Sequence, residues 1–101
     1  MSKPMMFVVT YKTKPNMRRE FYDRVVGEGI IEASKNENGN EKYDYYFSPE
    51  DENAICLLEV WDSMETQKLH TQTAHFARLG ELKAEYVLDT IIEKYYIENV
   101  E

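Results

Sequence analysis

Three side chains of this 101-residue chain could carry out acid–base chemistry: His70, His75 and Glu59. An unperturbed imidazole titrates at about pH 6.5, so His70 is a candidate base at neutral pH. Glu59 shares one face of a strand-like segment with Trp61, because side chains alternate between faces along a strand. A carboxylate there could bind His70 or a substrate hydroxyl. These residue types point to proton transfer within an apolar pocket.

A metal site is not expected. His70 and His75 are five residues apart, whereas a spacing of four would place both imidazoles on one helix face. No carboxylate stands at a matching offset. The alternatives to a catalytic role are ordinary structural ones: a strand tryptophan packs in a core, a helix histidine bonds a backbone carbonyl, and a strand carboxylate pairs with Lys or Arg.

Other classes of function are excluded by composition and by motifs. The formal net charge of −7 repels phosphate backbones, so nucleic acid is not an expected partner. No GxSxG, Walker A, GxGxxG, HExxH or CxxC pattern occurs. The apolar run near the amino terminus is too short for a signal peptide or a membrane span, which predicts a cytoplasmic protein. The single cysteine, Cys56, lies in an apolar run and is predicted to be core.

Residue patterns predict one α+β domain over residues 1–101 with the order β-α-β-β-α-β. This is the ferredoxin-like arrangement, in which helices cover one face of a four-stranded antiparallel sheet. The first helix is predicted to begin at an Asn16 cap and to continue through Gly29 to Lys35. The expected strands span residues 5–11, 43–47, 54–61 and 89–98. The later helical segments are expected at 63–72 and in a stretch around 76–86.

The predicted sheet is apolar on both faces, although a sheet with one wet face should alternate apolar and polar residues. Cys56, Leu58 and Val60 occupy one face of the third strand, and Ile55, Leu57, Glu59 and Trp61 occupy the other. An uncovered apolar face usually marks an interface. We therefore expect a homodimer formed by sheet-on-sheet packing, the alternative being that the last strand or a loop folds back over the open face.

Several spacings together resemble the antibiotic biosynthesis monooxygenase domain family, over nearly the whole chain. The pattern is a Gly-x-x-x-Tyr/Phe-Asp strand entry, a Glu-x-Trp strand end, a histidine nine residues later and then a His-Phe pair. The residues that match it in order and spacing are Gly39, Tyr43, Asp44, Glu59, Trp61, His70, His75 and Phe76.

The resemblance implies a dimeric α+β barrel with a ligand pocket between the sheet and the helices of each protomer. It implies oxygenation of a small aromatic quinol, anthrone or polyphenol by molecular oxygen, without cofactor or metal. His70 and Trp61 are then the predicted catalytic residues, with Trp61 lining the pocket. Glu59, Tyr45, Phe47 and Tyr11 are the predicted substrate-binding residues.

Two other functions would use the same pocket. One is a non-catalytic or stress-response module that sequesters an aromatic metabolite. The other is a cofactor-free isomerase of a small carbonyl compound, because proton abstraction needs the same base in a dry cavity. Nothing in the residues identifies a particular substrate.

Overall fold

The computed structural model describes residues 3–100, so residues 1, 2 and 101 of the predicted domain lie outside this description. It contains four strands in one antiparallel sheet of spatial order β2-β3-β1-β4, with four helices. The α+β ferredoxin-like prediction is thereby confirmed. The elements are β1 Met5–Thr13, α1 Arg18–Gly27, α2 Ile30–Lys35, β2 Asn40–Phe47, β3 Ala54–Trp61, α3 Met64–His70, α4 Ala74–Tyr86 and β4 Val87–Tyr96.

One face of the sheet and the helices enclose the core. Alternate residues of β1 are buried, among them Val9 and Tyr11, and in β3 Leu57 and Trp61 point to the same side. The pairing of Val9 with Leu57 places the two strands' buried sets in one layer. From the helices, the buried residues are Phe21, Val25, Ile30, Ser34, His70, Leu79, Leu82 and Tyr86.

The first helical region is interrupted, contrary to the single helix predicted. α1 ends at Gly27, and Gly29 adopts a left-handed conformation with φ of 74° before α2 begins. A Cβ built on Gly29 would meet no atom within 4 Å, so the glycine serves the backbone turn rather than a close helix approach. Asn16 has φ of 65° and does not cap α1, whose cap position is Met17.

The two later helices begin at hydroxyl caps. The Ser63 side chain accepts a hydrogen bond from the Thr66 amide and so caps the start of α3. The Thr73 hydroxyl accepts from the Phe76 amide at the start of α4. These caps separate α3 from α4 between His70 and Ala74, so the two histidines lie on different helices.

In the part of the chain that the structure describes, no helix lies on the second face of the sheet. Leu58 and Cys56 lie there half-buried, so Cys56 is not the core residue that was predicted. The edge strand β4 is exposed on both faces, with Ile91 and Ile92 each about half exposed. Among residues 3–100, no helix combines the length and the apolar character that crossing a membrane requires.

Candidate active site

A small cavity lies between the sheet and helices α3 and α4, with a volume of about 70 Å³. Three strands and two helices contribute to its wall, so only the folded chain assembles it. Its lining residues are Tyr11, Tyr43, Glu59, His70, Phe76, Leu79, Gly80 and Lys83. Three residues predicted from the sequence, His70, Glu59 and Tyr11, therefore meet in one cavity.

His70 ends α3 with its imidazole fully buried. Its Nδ1 lies 2.6 Å from a carboxylate oxygen of Glu37. A carboxylate oxygen can only accept, so the ring proton belongs on Nδ1 and the lone pair on Nε2. Nε2 lies 3.9 Å from Oε1 of Glu59, a residue that lines the cavity together with His70. The imidazole is thus held in the tautomer that a general base needs.

The ring of His70 is also fixed by aromatic packing. The indole of Trp61 lies against it with ring centroids 4.7 Å apart, and Phe76 meets it edge-on at 5.2 Å. Two aromatic contacts and the hydrogen bond at Nδ1 together restrict the rotation of this buried ring. The imidazole is therefore held in a defined orientation.

Glu37 joins the two histidines. The same carboxylate oxygen that bonds His70 lies 2.7 Å from Nε2 of His75. The expectation that no carboxylate matches the two histidines is wrong, because they approach Glu37 from different helices and sequence offset along one helix does not apply. Glu37 was absent from the predicted site.

These three residues are the set in residues 3–100 that could hold a metal ion, with ligand atoms within 4.8 Å of one another. The carboxylate oxygen, however, lies between the two ring nitrogens at hydrogen-bond distance from each. In this structure each of the two ring nitrogens has the Glu37 oxygen as its hydrogen-bond partner. The geometry is that of a hydrogen-bonded network of Glu37, His70 and His75.

Gly39 positions the loop that carries Glu37. Its φ is 91°, and a Cβ there would lie 2.5 Å from the Thr66 methyl carbon. The Gly39 carbonyl accepts a hydrogen bond from the Asp62 amide at 2.8 Å. Only glycine allows this close approach of the loop to α3, and the approach places Glu37 against His70.

Glu59 is buried on β3 and accepts a hydrogen bond from Nε1 of Trp61 at 3.1 Å. Burial raises the pKa of the Glu59 carboxyl, although the Trp61 bond and nearby His70 oppose that shift. Trp61 is fully buried and is not among the lining residues of the cavity. Trp61 instead contacts Glu59 through its hydrogen bond and His70 through ring packing.

The predicted aromatic wall is divided. Tyr11 lines the cavity, whereas Tyr45 and Phe47 do not and pack instead against Tyr22 at ring-centroid distances of 6.0 and 5.4 Å. Burial raises the pKa of the Tyr11, Tyr43 and Tyr45 hydroxyls above the ordinary tyrosine value. None of the three hydroxyls is ionised at neutral pH, so none competes with His70 as the base.

Lys83 and Gly80 were not predicted as site residues. Phe76, Leu79, Gly80 and Lys83 follow the i, i+3, i+4, i+7 spacing, which places them on one face of α4. A lysine within a stripe that otherwise faces the core was the signal for a charged group in the site.

Comparison with known proteins places this geometry in a known class. A model of the family described as "Antibiotic biosynthesis monooxygenase" matches residues 4–81. A Bacillus subtilis protein named "Putative monooxygenase YcnE" is 35% identical over 65 residues, which are 64% of this chain and 66% of that protein. The match thus spans just under two thirds of that relative's length.

Solved structures share the fold at lower identity. A Caulobacter crescentus protein, described as a "putative antibiotic biosynthesis monooxygenase", is 24% identical to this chain with a TM-score of 0.85. The match covers 97% of this chain and 92% of that one. A conserved protein of Methanosarcina mazei is 23% identical with a TM-score of 0.84, covering 96% and 95%.

Proposed function

The chain belongs to the antibiotic biosynthesis monooxygenase family, and from that premise we propose that it is a cofactor-independent monooxygenase of a small aromatic molecule. The substrate class is a quinol, an anthrone or a similar phenol that reacts with molecular oxygen once deprotonated. The observation that carries the proposal is the buried His70, which lines a cavity and is held at Nδ1 by Glu37.

The proposed mechanism begins with proton transfer. Nε2 of His70 takes the proton of the substrate hydroxyl, and the imidazolium that forms is stabilised by the Glu37 carboxylate at Nδ1. The resulting anion passes one electron to oxygen, and the radical pair combines to form a C–O bond. The C–H bond of that carbon then breaks together with the O–O bond, so that the carbonyl forms and hydroxide leaves with one oxygen atom. The hydroxide takes the proton held by His70 and becomes water. The substrate supplies all four electrons, so no external reductant is required.

The size of the cavity sets how a substrate is held. A volume of about 70 Å³ is well below the several hundred Å³ of typical ligand pockets. The enclosed space therefore accepts the reacting end of a ring, and the remainder extends past Phe76, whose side chain is 37% exposed.

Oxygen consumption tests the proposal. Dialysed protein with a chelator present should consume oxygen with at least one member of a panel of hydroquinones and anthrones. His70→Ala should abolish this uptake, because it removes the base, while Lys68→Ala on the exposed side of α3 should leave it unchanged. Saturable quenching of Trp61 fluorescence by these compounds without oxygen uptake would identify a binding protein instead.

A cofactor-free isomerase of a small carbonyl compound is the second candidate, favoured by one observation. His70 and Glu59 face each other at 3.9 Å beside the cavity, and burial raises the pKa of Glu59, which favours its proton-donating form. A base opposite an acid in a small dry space suits transfer of a proton between two carbon atoms. Exchange of an α-proton with deuterated water, lost in His70→Ala, would support this function over oxygenation.

We also propose that the active form is a homodimer whose two open sheet faces pack together, in the cytoplasm. Support comes from the half-buried Leu58 and Cys56 on that face and from the half-exposed Ile91 and Tyr95 of β4 beside them. A second copy offers the same apolar face with the same curvature, which a two-fold arrangement requires. A light-scattering mass near twice 12.0 kDa is expected, and a mass of one chain at micromolar concentration would contradict the dimer.

A further inference from the structure

Lys83 lies in the third turn of α4 and lines the cavity with His70 and Glu59. Its ammonium group lies 5.2 Å from the centroid of the Tyr11 ring. The side chain is half-buried, and burial lowers the pKa of the ammonium while the nearby Glu59 opposes that shift. A cation has thus been brought to an apolar cavity at a cost in solvation.

No salt bridge compensates this cost within residues 3–100. Lys12 and Lys42, by contrast, pair with Asp51 at 2.9 Å and Asp44 at 2.8 Å. Glu59, the carboxylate that shares the cavity with Lys83, is not within salt-bridge distance of it. Its own raised pKa means that its negative charge is itself disfavoured there.

Every other titratable group of the cavity is unsuitable as the counter-charge. Tyr11 of β1 and Tyr43 of β2 have pKa values raised by burial, so they remain neutral at neutral pH. His70 of α3 offers a lone pair but no negative charge. Among the described lining residues, Lys83 thus has the face of the Tyr11 ring and the more distant Glu59 as electrostatic partners, and a ligand anion in the cavity would be the group that pairs with it directly.

We propose that Lys83 is the anion-binding group of this cavity and that the ligand is a weak acid, a phenol or an enol, that binds as its anion. The inference deepens the proposed function, because it rests on the same site and names the form in which the substrate is held. Lys83 stabilises the negative oxygen that His70 creates by taking the proton. In a site of low dielectric this stabilisation exceeds what the same pair would gain in water.

The probe for this proposal is 4-nitrophenol, whose anion is yellow and whose neutral form is colourless. At a pH just below the pKa of the free compound, adding the wild-type protein should increase the yellow anion, since Lys83 lowers the pKa of the bound phenol. Lys83→Met should abolish the increase and weaken binding at least about tenfold. Lys83→Arg should retain the increase, because it keeps the charge.

Two controls isolate the effect. Lys68→Met removes a lysine of α3 that is exposed and should behave as wild type. Nitrobenzene, which lacks the hydroxyl, should show no dependence on residue 83. Thermal unfolding of Lys83→Met separates loss of binding from loss of fold, and Lys83→Arg remains the test if Lys83→Met does not fold.

Binding of 4-nitrophenol in its colourless form, no binding at all, or an unchanged colour response in Lys83→Met would each overturn the inference. Oxygen uptake by the same variants tells this failure apart from failure of the proposed function. If uptake depends on His70 but the colour response does not depend on Lys83, the monooxygenase proposal stands and the role of Lys83 falls. If the response depends on Lys83 and no quinol is oxidised, the reverse holds.

Discussion

At the scale of single residues, the site is a series of polar contacts that lies beside the cavity. Glu37 fixes His70, His70 faces Glu59, and Glu59 is held by Trp61. The first two links join different segments of the chain, whereas the third joins two residues of β3. Buried polar groups are costly when unpaired, so replacing one member changes both the chemistry and the stability of its neighbours.

Glu37→Gln tests the first link. The neutral amide keeps the size of the side chain but removes the charge that stabilises the His70 imidazolium, so kcat for the oxygenation should fall roughly ten- to a hundredfold. KM should change little, because Glu37 does not line the cavity. Glu41→Gln, at an exposed position of β2, is the matched control. Wild-type kcat in Glu37→Gln would show that the carboxylate is only structural.

Glu59→Gln tests the cost of burying the second carboxyl. Burial raises its pKa above the ordinary value of 4.5, so the folded state binds this proton more tightly than the unfolded state. The stabilising contribution is complete below pH 4.5 and is lost as pH rises through the folded pKa. The variant keeps an acceptor for Trp61 and avoids that loss. Denaturant unfolding should show it more stable than wild type at pH 7 and nearly equal at pH 4.

The opposite outcome for Glu59→Gln is equally clear. If the variant were less stable than wild type at pH 7, the ionised carboxylate would be contributing a favourable interaction that outweighs its desolvation. Lys83 and His70 are the cationic candidates for that interaction.

At the scale of elements, Gly39 in the loop before β2 and Gly80 in α4 differ in the space around them. Gly39 has positive φ and no space for a side chain, whereas a Cβ on Gly80 meets nothing within 4 Å in the middle of a helix. The first glycine is required by the fold. The second leaves room at the cavity and costs helix stability.

Paired alanine substitutions test this difference. Gly39→Ala should lower the free energy of unfolding by about 2 kcal/mol or more, from the backbone strain and the clash with Thr66. Gly80→Ala should raise it by up to about 1 kcal/mol through helix propensity. Urea unfolding of both variants measures the two effects. Equal changes in the same direction would contradict the assignment.

At the scale of the whole molecule, the sheet has one face for the helices and the cavity and one face without cover. The centre of the uncovered face is the pair Val8 and Leu58, flanked by Asp44 on β2 and Glu93 on β4. Acidic groups beside an apolar centre limit which surfaces can be accepted there. In the proposed dimer the apolar centre of one copy packs on that of the other.

Leu58→Asp should dissociate the proposed dimer. The new carboxylate would lie beside Asp44 and opposite its own copy, and both contacts are repulsive in a desolvated interface. Light scattering should show the mass of a monomer, and the circular dichroism spectrum should match that of the wild type. Gln72→Asp, which adds the same charge at an exposed position, should leave the mass unchanged. A dimeric Leu58→Asp would mean that another surface mediates association.

Much of the fold was determined by the sequence itself. The alternation along β3 separates Ile55, Leu57, Glu59 and Trp61 from Cys56, Leu58 and Val60, and the structure preserves both sets and the bounds Ala54–Trp61. Such a pattern is local, because a period of two is written into consecutive residues. The break at Gly29 was not predicted, because a continuous helix and a helix interrupted at Gly29 place the same apolar residues on the same face.

The arrangement of the site was decided only by the tertiary structure. Glu37 lies 33 positions from His70 and 38 from His75, and the three meet because Gly39 lets a loop pack closely against α3. Spacing along one helix could not predict that contact, since it joins a loop to two helices. The position of Lys83 on the inner face of α4 could likewise be found in the sequence. Its proposed role could not, because that role depends on Lys83 forming no salt bridge across the cavity within residues 3–100. The sequence alone thus determined which residues of β3 share a face, because that alternation is local, while long-range packing decided which face is buried and which polar groups meet there.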